Sequence, residues 1–409
     1  MKETKFKETE IGRIPEDWKT LFIHQVSDIL TGATPSTDIE EYWKNGIIRW
    51  MSSGELNNKI IYDVKGRITQ KGYDKTGTHM LPKYCVLIGL AGQGKTRGTA
   101  AYNKVELCTN QSIAAILPNN KYDSLYLYFY IDSLYDKLRL LSAGDGGRGG
   151  LNKQILLNLE IVIPPLTEQH HIASALTNID DLISSLGKLI EKKKNIKQGA
   201  MQQLLTGKTR LKGFCEPWVD KKISEVATTS SGGTPSRNIQ EYYNGDIKWF
   251  TTGELKDRYL YDSVEHITKE ALNKSSAKEF PANTILMAMY GATIGKLGIL
   301  KVKSATNQAC CAIMCNGIDE MFLFYVLLYH RKVIIDKGCG AGQPNISQTI
   351  VNDLSFYVPQ SINEQRTIAT ILTDMDNEIS AIEAKKTKYE AIKQGMMQQL
   401  LTGKIRLIS

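Results

Sequence analysis

Residues 196–211 read IKQGAMQQLLTGKTRL, and residues 392–407 read IKQGMMQQLLTGKIRL. The two stretches differ only at Ala200/Met396 and Thr209/Ile405. A match of this length, recurring half a chain later in a protein of 409 residues, marks one unit used twice. The correspondence extends backwards in order. Gly32-Ala33-Thr34-Pro35-Ser36 answers Gly232-Gly233-Thr234-Pro235-Ser236, and the EYW…WMSSGEL run (Glu41 to Leu56) answers EYY…WFTTGEL (Glu241 to Leu255). Ile68-Thr69 answers Ile267-Thr268, Pro82 answers Pro281, Thr109-Asn110-Gln111 answers Thr306-Asn307-Gln308, and Glu168-Gln169 answers Glu364-Gln365. The function needs two of something.

Each half divides into a globular part and a helical part. Short apolar runs such as YCVLIGL (Tyr84 to Leu90) and TILMAMY (Thr284 to Tyr290), punctuated by Gly, Asn and Pro, read as buried strands. Leu125 to Leu141 and Met321 to Asp336 read as helices between them, so the fold class is α+β. After Pro164-Pro165 and Pro359, Thr167 and Asn363 stand where N-caps belong, with Glu168 and Glu364 suited to a first turn. From there apolar residues recur at 4,3 spacing. Ile172, Leu176, Ile179, Ile183, Leu186 and Ile190 form one seam; Ile368, Leu372, Met375, Ile379 and Ile382 form the other. Gly207 and Gly403 suit left-handed C-terminal caps. At roughly 38 residues and about 1.5 Å per residue, each helix would run roughly 57 Å, too long for one compact domain. A narrow apolar seam must be covered, and the matching seam of the other half is the expected cover. Two α/β units, related by pseudo-symmetry, should each be followed by a long helix, and the helices should pair as an antiparallel coiled coil. The plainer alternative packs each helix on its own globular part. The resulting boundaries are 1–165, 166–211, 212–361 and 362–409.

Composition narrows the function classes. With 42% apolar residues each half can bury a core, and the net charge of +8 is compatible with nucleic acid. The charged N-terminus, MKETKFKETEIGRIPEDW, lacks the apolar run of a signal peptide, and no uninterrupted 18-residue apolar segment follows; a cytoplasmic location without membrane contact is expected. The seven cysteines show no CxxC…CxxC spacing, and Cys310, Cys311, Cys315 and Cys339 have no matching set in the first half, which speaks against a metal site. The His170-His171 pair is missing from its counterpart in the second half, so it is a poor catalytic candidate. There is no HExxH, no GxSxG and no Asn/Asp-Pro-Pro-Tyr motif. No catalytic residue is assigned.

One stretch tempts otherwise. Gly89-Leu-Ala-Gly-Gln-Gly94-Lys95-Thr96 matches the phosphate-cradling G-x-x-x-x-G-K-[ST] pattern letter for letter. Its counterpart, Ala288 to Leu297, keeps Gly295-Lys296 but loses the first glycine and the hydroxyl needed for magnesium, and no strand ending in Asp follows. A Gly-rich turn carrying Lys95 or Lys296 suits contact with a DNA phosphate, or a purely structural turn, equally well. An NTPase with a dimerisation stalk, a stand-alone DNA-binding regulator and a protein-binding adaptor are the rival readings.

Features alike in both halves should serve the common task, and features that differ should say what each half recognises. The Gly-x-Thr-Pro-Ser turns, with Thr34, Ser36 and Ser236, and the Thr-Asn-Gln segments then read as scaffold or DNA-backbone contacts. The divergent loops are candidates for reading bases. Ser142 to Gly150 carries Arg148, and Gly338 to Asn345 carries Gln343 and Asn345; Arg suits guanine edges, and Asn or Gln adenine edges. Gln93, Arg97, Arg237 and Lys248 join them, and for each single residue the competing reading is a solvated loop position.

With these features assembled, the chain resembles the specificity (S) subunit of Type I restriction-modification systems over essentially its whole length. The opening EIGRIPEDW (Glu10 to Trp18), the later GFCEPW (Gly213 to Trp218), the twin turns, the Pro…Glu-Gln helix starts and the QQLLTGK closings (Gln202 to Lys208, Gln398 to Lys404) carry the resemblance. It implies two target-recognition domains, each reading half of a bipartite, asymmetric site on double-stranded DNA, with the helices as a ruler for the spacer. It also implies a non-catalytic chain without cofactor of its own. Two methyltransferase subunits using S-adenosylmethionine would dock on it and recruit restriction subunits that use ATP and Mg2+. It does not supply the target sequence.

Overall fold

The structure is a computed structural model that describes residues 4–92, 94–142, 150–338 and 345–408. The chain forms two compact units, residues 1–187 with 385–409, and residues 188–384. Both units repeat one topology. In the first, a five-stranded sheet runs in the order Ile29–Thr31, Ile113–Ile116, Val86–Gly89, Ala100–Asn103, Ile60–Ile61. In the second the order is Ala227–Ser231, Cys310–Cys315, Ile285–Ala288, Leu297–Leu300, Arg258–Leu260. Val86–Gly89 and Ile285–Ala288, the strands expected from the apolar runs, are buried along their whole length. A smaller sheet pairs Ile48–Met51 with Gly66–Ile68 and Cys108–Thr109 in the first unit, and Ile247–Phe250 with Glu265–Ile267 and Ser304–Thr306 in the second. The class is α+β.

The expected helix Leu125 to Leu141 is two, Ser124–Ser133 and Tyr135–Leu141, and Met321 to Asp336 is likewise Glu320–Tyr329 and Arg331–Gly338. The breaks have a burial logic. Tyr126 to Ile131 and Phe322 to Leu327 are buried on every side, as a helix apolar all round must be, while Tyr135–Leu141 buries only Leu138 and Arg331–Gly338 only Ile334 and Gly338.

The two long helices span Leu166–Leu204 and Ile362–Leu400, 39 residues each, and they pair antiparallel. Thr167 and Asn363 therefore lie inside the first turn and are not N-caps. Within the first unit Lys393 bonds Asp180, and within the second Lys197 bonds Asp376, both at 2.6 Å, so the lysine of each IKQG copy meets the same aspartate of the opposite helix. Lys193–Glu378 adds a further rung in the second unit. The seams are buried at Ile172, Leu176, Ile179, Leu186 and Ile190, and at Ile368, Leu372 and Ile379; Ile183, Met375 and Ile382 are half-buried. The first turns also do what the plainer alternative required. Ile172 and Leu176 belong to the globular core of the first unit, and Ile368 and Leu372 to that of the second.

The closing repeat completes each core. Met397, Leu400 and Leu401 pack with Trp18, Ile172 and Leu176; Met201, Leu204 and Leu205 pack with Trp218, Ile368 and Leu372. Each such side chain contributes about 1.5–3 kcal/mol on burial. Just beyond, Arg406 forks onto Glu168 (2.7 Å) and Asp17 (2.7 Å), and Arg210 onto Glu364 (2.5 Å). Trp18 and Trp218 donate their indole N–H to the same two glutamates at 2.9 and 3.3 Å. The neighbouring Gln169 and Gln365 donate to the carbonyls of Pro164 and Pro359, and accept from the amides of Asp123 and Asp319, all at 2.8 Å. Buried carboxylates require partners of this kind. Gly207 and Gly403 have the left-handed φ values of +69° and +70° expected of the caps.

Candidate nucleic-acid interface

Strand direction gathers most of the sequence candidates at one end of each five-stranded sheet. Ile29–Thr31 leads into the turn bearing Thr34 and Ser36, Val86–Gly89 leads into the loop bearing Lys95 and Arg97, and Gln111 precedes Ile113–Ile116, which lies between those strands. In the second unit Thr234, Ser236 and Lys296 converge in the same way, and Asn345 joins them through a bridge to Tyr290. Gln93, Arg148 and Gln343 lie outside the described residues.

The turns are held tightly. Trp50 and Trp249 donate their indole N–H to the carbonyls of Ala33 (3.0 Å) and Gly233 (2.9 Å), and Trp43 donates to Ser36 (2.9 Å). A Cβ on Gly32 or Gly232 would lie 1.8 or 2.2 Å from Thr109 or Thr306, so only glycine lets the turn approach the Thr-Asn-Gln segment. The Thr34 hydroxyl donates to the Gln111 side-chain oxygen at 2.5 Å, and Thr234 does the same to Gln308. All four of these side chains except half-buried Thr234 are exposed. Gln111 and Gln308, which recur in the Thr-Asn-Gln segments of both halves, thus tie those segments to the turns.

Arg237 is exposed, and internal contacts hold its side chain in place. Its guanidinium forks onto Glu265 (2.5 and 2.9 Å) and lies over the rings of Tyr243 (4.3 Å) and Trp249 (5.0 Å). The Arg237 hydrogen bonds hold the Glu265 carboxyl below the usual carboxylate range. The first unit has Thr37 and Gly66 at the corresponding places, and Trp50 there is half-buried where Trp249 is buried. Lys248 pairs with Asp262 at 2.6 Å, and its counterpart Arg49, which escaped notice, pairs with Asp63 at 2.8 Å.

The loop resembling a phosphate cradle closes onto the strand Ala100–Asn103, antiparallel to the strand before it. A P-loop opens a helix, whose N-terminus attracts phosphate; this loop opens none. The structure also corrects the matching of Lys95 with Lys296. Gly98 and Gly295 are the equivalent glycines, with φ of +80° and +73°, each amide bonding the end of the preceding strand at Gly89 or Ala288 (both 2.8 Å). Lys296 therefore stands opposite Thr99, and it pairs with Asp257 at 3.3 Å. Lys95 is exposed; its carbonyl accepts from the Tyr135 hydroxyl at 3.1 Å, while Arg97 donates to Ser142 at 3.3 Å.

Among the described residues no group of three His, Cys, Asp or Glu could hold a metal, and no helix is long and apolar enough to cross a membrane. The cysteines among them are free thiols, and burial pushes Cys85 up to about 12 and Cys108 to about 11.

The family model for the Type I restriction modification DNA specificity domain matches residues 15–198 and again 215–394. The MjaVIII specificity subunit of a Type I restriction enzyme from Methanocaldococcus jannaschii is 27% identical over 428 residues, spanning 99% of this chain and 97% of its own. The EcoR124I/EcoR124II specificity subunit of Escherichia coli is 26% identical over 288 residues, 66% of this chain and 70% of its own. In fold, the chain is similar to the crystal structure of a Type I restriction-modification S subunit from M. genitalium, with a TM-score of 0.64 at 17% identity over 97% of this chain and 98% of that one. With one specificity domain matched in each half, this chain belongs to the Type I restriction-modification specificity subunit family.

Proposed function

We propose that this chain selects the DNA sequence on which a Type I restriction-modification complex acts, each unit reading one half of a bipartite, asymmetric target. The observation that carries this reading is the same cluster of loops at the same sheet end in both units, built on a shared framework but bearing different side chains. A shared framework suits shared DNA-backbone geometry, and different side chains suit two different half-sites. Residues 1–165 and 212–361 would be the recognition domains, and the paired helices would set the spacer. Their equivalent surfaces would receive two methyltransferase subunits, with restriction subunits joining the full assembly in the cytoplasm. Catalysis, S-adenosylmethionine, ATP and Mg2+ would belong to those partners.

Adenine-methylation mapping tests this in cells carrying the chain with its neighbouring methyltransferase, against cells lacking only the chain. A split motif that vanishes with the chain is expected. No chain-dependent methylation by an active, expressed methyltransferase would refute the reading.

A further inference from the structure

A second surface, on the smaller sheet of each unit, is built alike and lies outside the loop cluster. In the first unit Arg49 stands directly across from Arg67 on the neighbouring strand, and in the second Lys248 stands across from His266. Basic side chains placed opposite one another destabilise an exposed sheet unless something negative lies between them. Each unit supplies a single carboxylate for its pair. Asp63 accepts from Arg49 (2.8 Å) and Arg67 (2.9 Å), and Asp262 from Lys248 (2.6 Å) and His266 (3.1 Å). Arg49 uses only its Nε on Asp63; its two terminal NH2 groups have no hydrogen-bond partner among the described residues.

An aromatic stands beside each cluster. Tyr62 precedes Asp63 and is 67% exposed; Tyr261 precedes Asp262 and is 64% exposed. Neither hydroxyl has a partner among the described residues. The turn carrying each tyrosine is fixed from behind, where Glu55 accepts the Lys65 amide at 2.9 Å and Glu254 accepts the Val264 amide at 2.8 Å. Two exposed tyrosines thus stand at equivalent positions, on anchored turns beside cationic side chains, and among the described residues the one ring contact of the two is that of Tyr261 with Tyr259, at 6.3 Å between centroids. The residue types change between the units, Arg and Arg against Lys and His, while the pattern of basic pair, single acid and tyrosine stays.

We propose that these two surfaces, Tyr62 with Arg49 and Tyr261 with Lys248, grip the sugar-phosphate backbone of duplex DNA, one in each unit. The assignment rests on the DNA-reading function proposed above. Arg49 or Lys248 supplies charge-assisted hydrogen bonds to a phosphate oxygen, and the tyrosine hydroxyl supplies another. Such contacts give affinity and salt dependence without sequence preference.

The test uses the full chain in complex with its methyltransferase, on duplex DNA carrying the mapped target. Arg49→Gln, Lys248→Gln, Tyr62→Ser and Tyr261→Ser are made singly, with Arg49→Lys as the charge-retaining control. Each Gln variant should lower the slope of log affinity against log salt by about 0.9, the value for one phosphate contact, and leave the methylated sequence unchanged. Arg49→Lys should restore most of the slope. The Tyr→Ser variants, which remove no internal contact in the first unit and one ring contact in the second, should weaken binding to all duplexes alike, and they keep the test decisive if a Gln variant fails to fold. Unchanged slopes and affinities in folded variants, with the split motif intact, would overturn this surface alone, as would a changed methylated sequence. Wild-type protein that directs no split motif would instead remove the function on which it rests.

Discussion

The Arg406 guanidinium lies 2.7 Å from the Glu168 carboxylate across 238 residues of sequence, fastening the end of the chain to the start of the central long helix. Both side chains are nearly removed from water, at 9% and 1% exposure. Asp17 shares the same guanidinium, whose hydrogen bond is the main cause of the lowered Asp17 pKa.

Arg406→Ala leaves Glu168 as a buried carboxylate with only the Trp18 indole as side-chain donor. Loss of about 3–5 kcal/mol is expected in denaturant unfolding of the first unit. Arg210→Ala in the second unit should cost less, since Arg210 is 31% exposed and bonds Glu364 alone. Equal losses at the two sites would contradict the role assigned to burial and to Asp17.

Gly207 and Gly403 share a left-handed backbone but not the same surroundings. A Cβ at Gly207 would lie 3.3 Å from Trp218, whereas at Gly403 it would lie 2.5 Å from the Pro15 ring. Gly207→Ala should cost about 1–2 kcal/mol from the backbone conformation. Gly403→Ala should cost more, because Pro15 cannot swing aside. Thermal melts of the two variants compare them directly.

Removing Arg237 tests whether it is structural. Hydrogen bonds from Arg237 depress the folded-state pKa of Glu265 below its ordinary 4.5. A depressed carboxylate contributes stability above its unfolded-state pKa, and that contribution disappears as pH falls through the folded-state value. The difference in stability between wild type and Arg237→Ala should therefore be largest near neutrality and narrow in acid below about pH 4.5. A difference independent of pH would place Arg237's contribution in its stacking on Tyr243 and Trp249 alone.

His330 gives a second pH dependence of different origin. Burial, next to Phe356 at 5.2 Å between ring centroids, lowers its pKa from 6.5. The folded state then binds fewer protons than the unfolded state just below that value. Stability should fall as pH drops from about 6.5 through the folded-state pKa, and His330→Phe should flatten that segment of the curve. An unchanged profile would show that the imidazole does not titrate differently on folding.

The duplicated sequence made much of the architecture legible. Repetition set the number of units, 4,3 apolar spacing set the long helices, and Gly207 and Gly403 marked their ends. These are local or periodic signals, visible without knowing what lies nearby in space. The same comparison singled out Lys248 but passed over Arg49, although each directly precedes the tryptophan of the matched runs; what only the structure adds is that each pairs with an aspartate, Asp63 or Asp262.

Tertiary structure decided the rest. Glu168 and Glu364 read as first-turn acids suited to a helix dipole, and their burial follows from arginines that arrive from the far end of the other helix. Arg237 read as a surface cation and is exposed, and what the fold adds is that Glu265, Tyr243 and Trp249 hold its guanidinium in place. The Gly-Lys segments at Lys95 and Lys296 looked equivalent in one dimension and are out of step in three, because the loop before Ala100 is longer than the loop before Leu297. Periodicity and repetition are properties of the chain itself, so the sequence alone determined two units and two paired helices. Which charges meet depends on contacts that range from 14 positions apart, as between Arg49 and Asp63, to 238, as between Arg406 and Glu168, and only the folded chain brings those together.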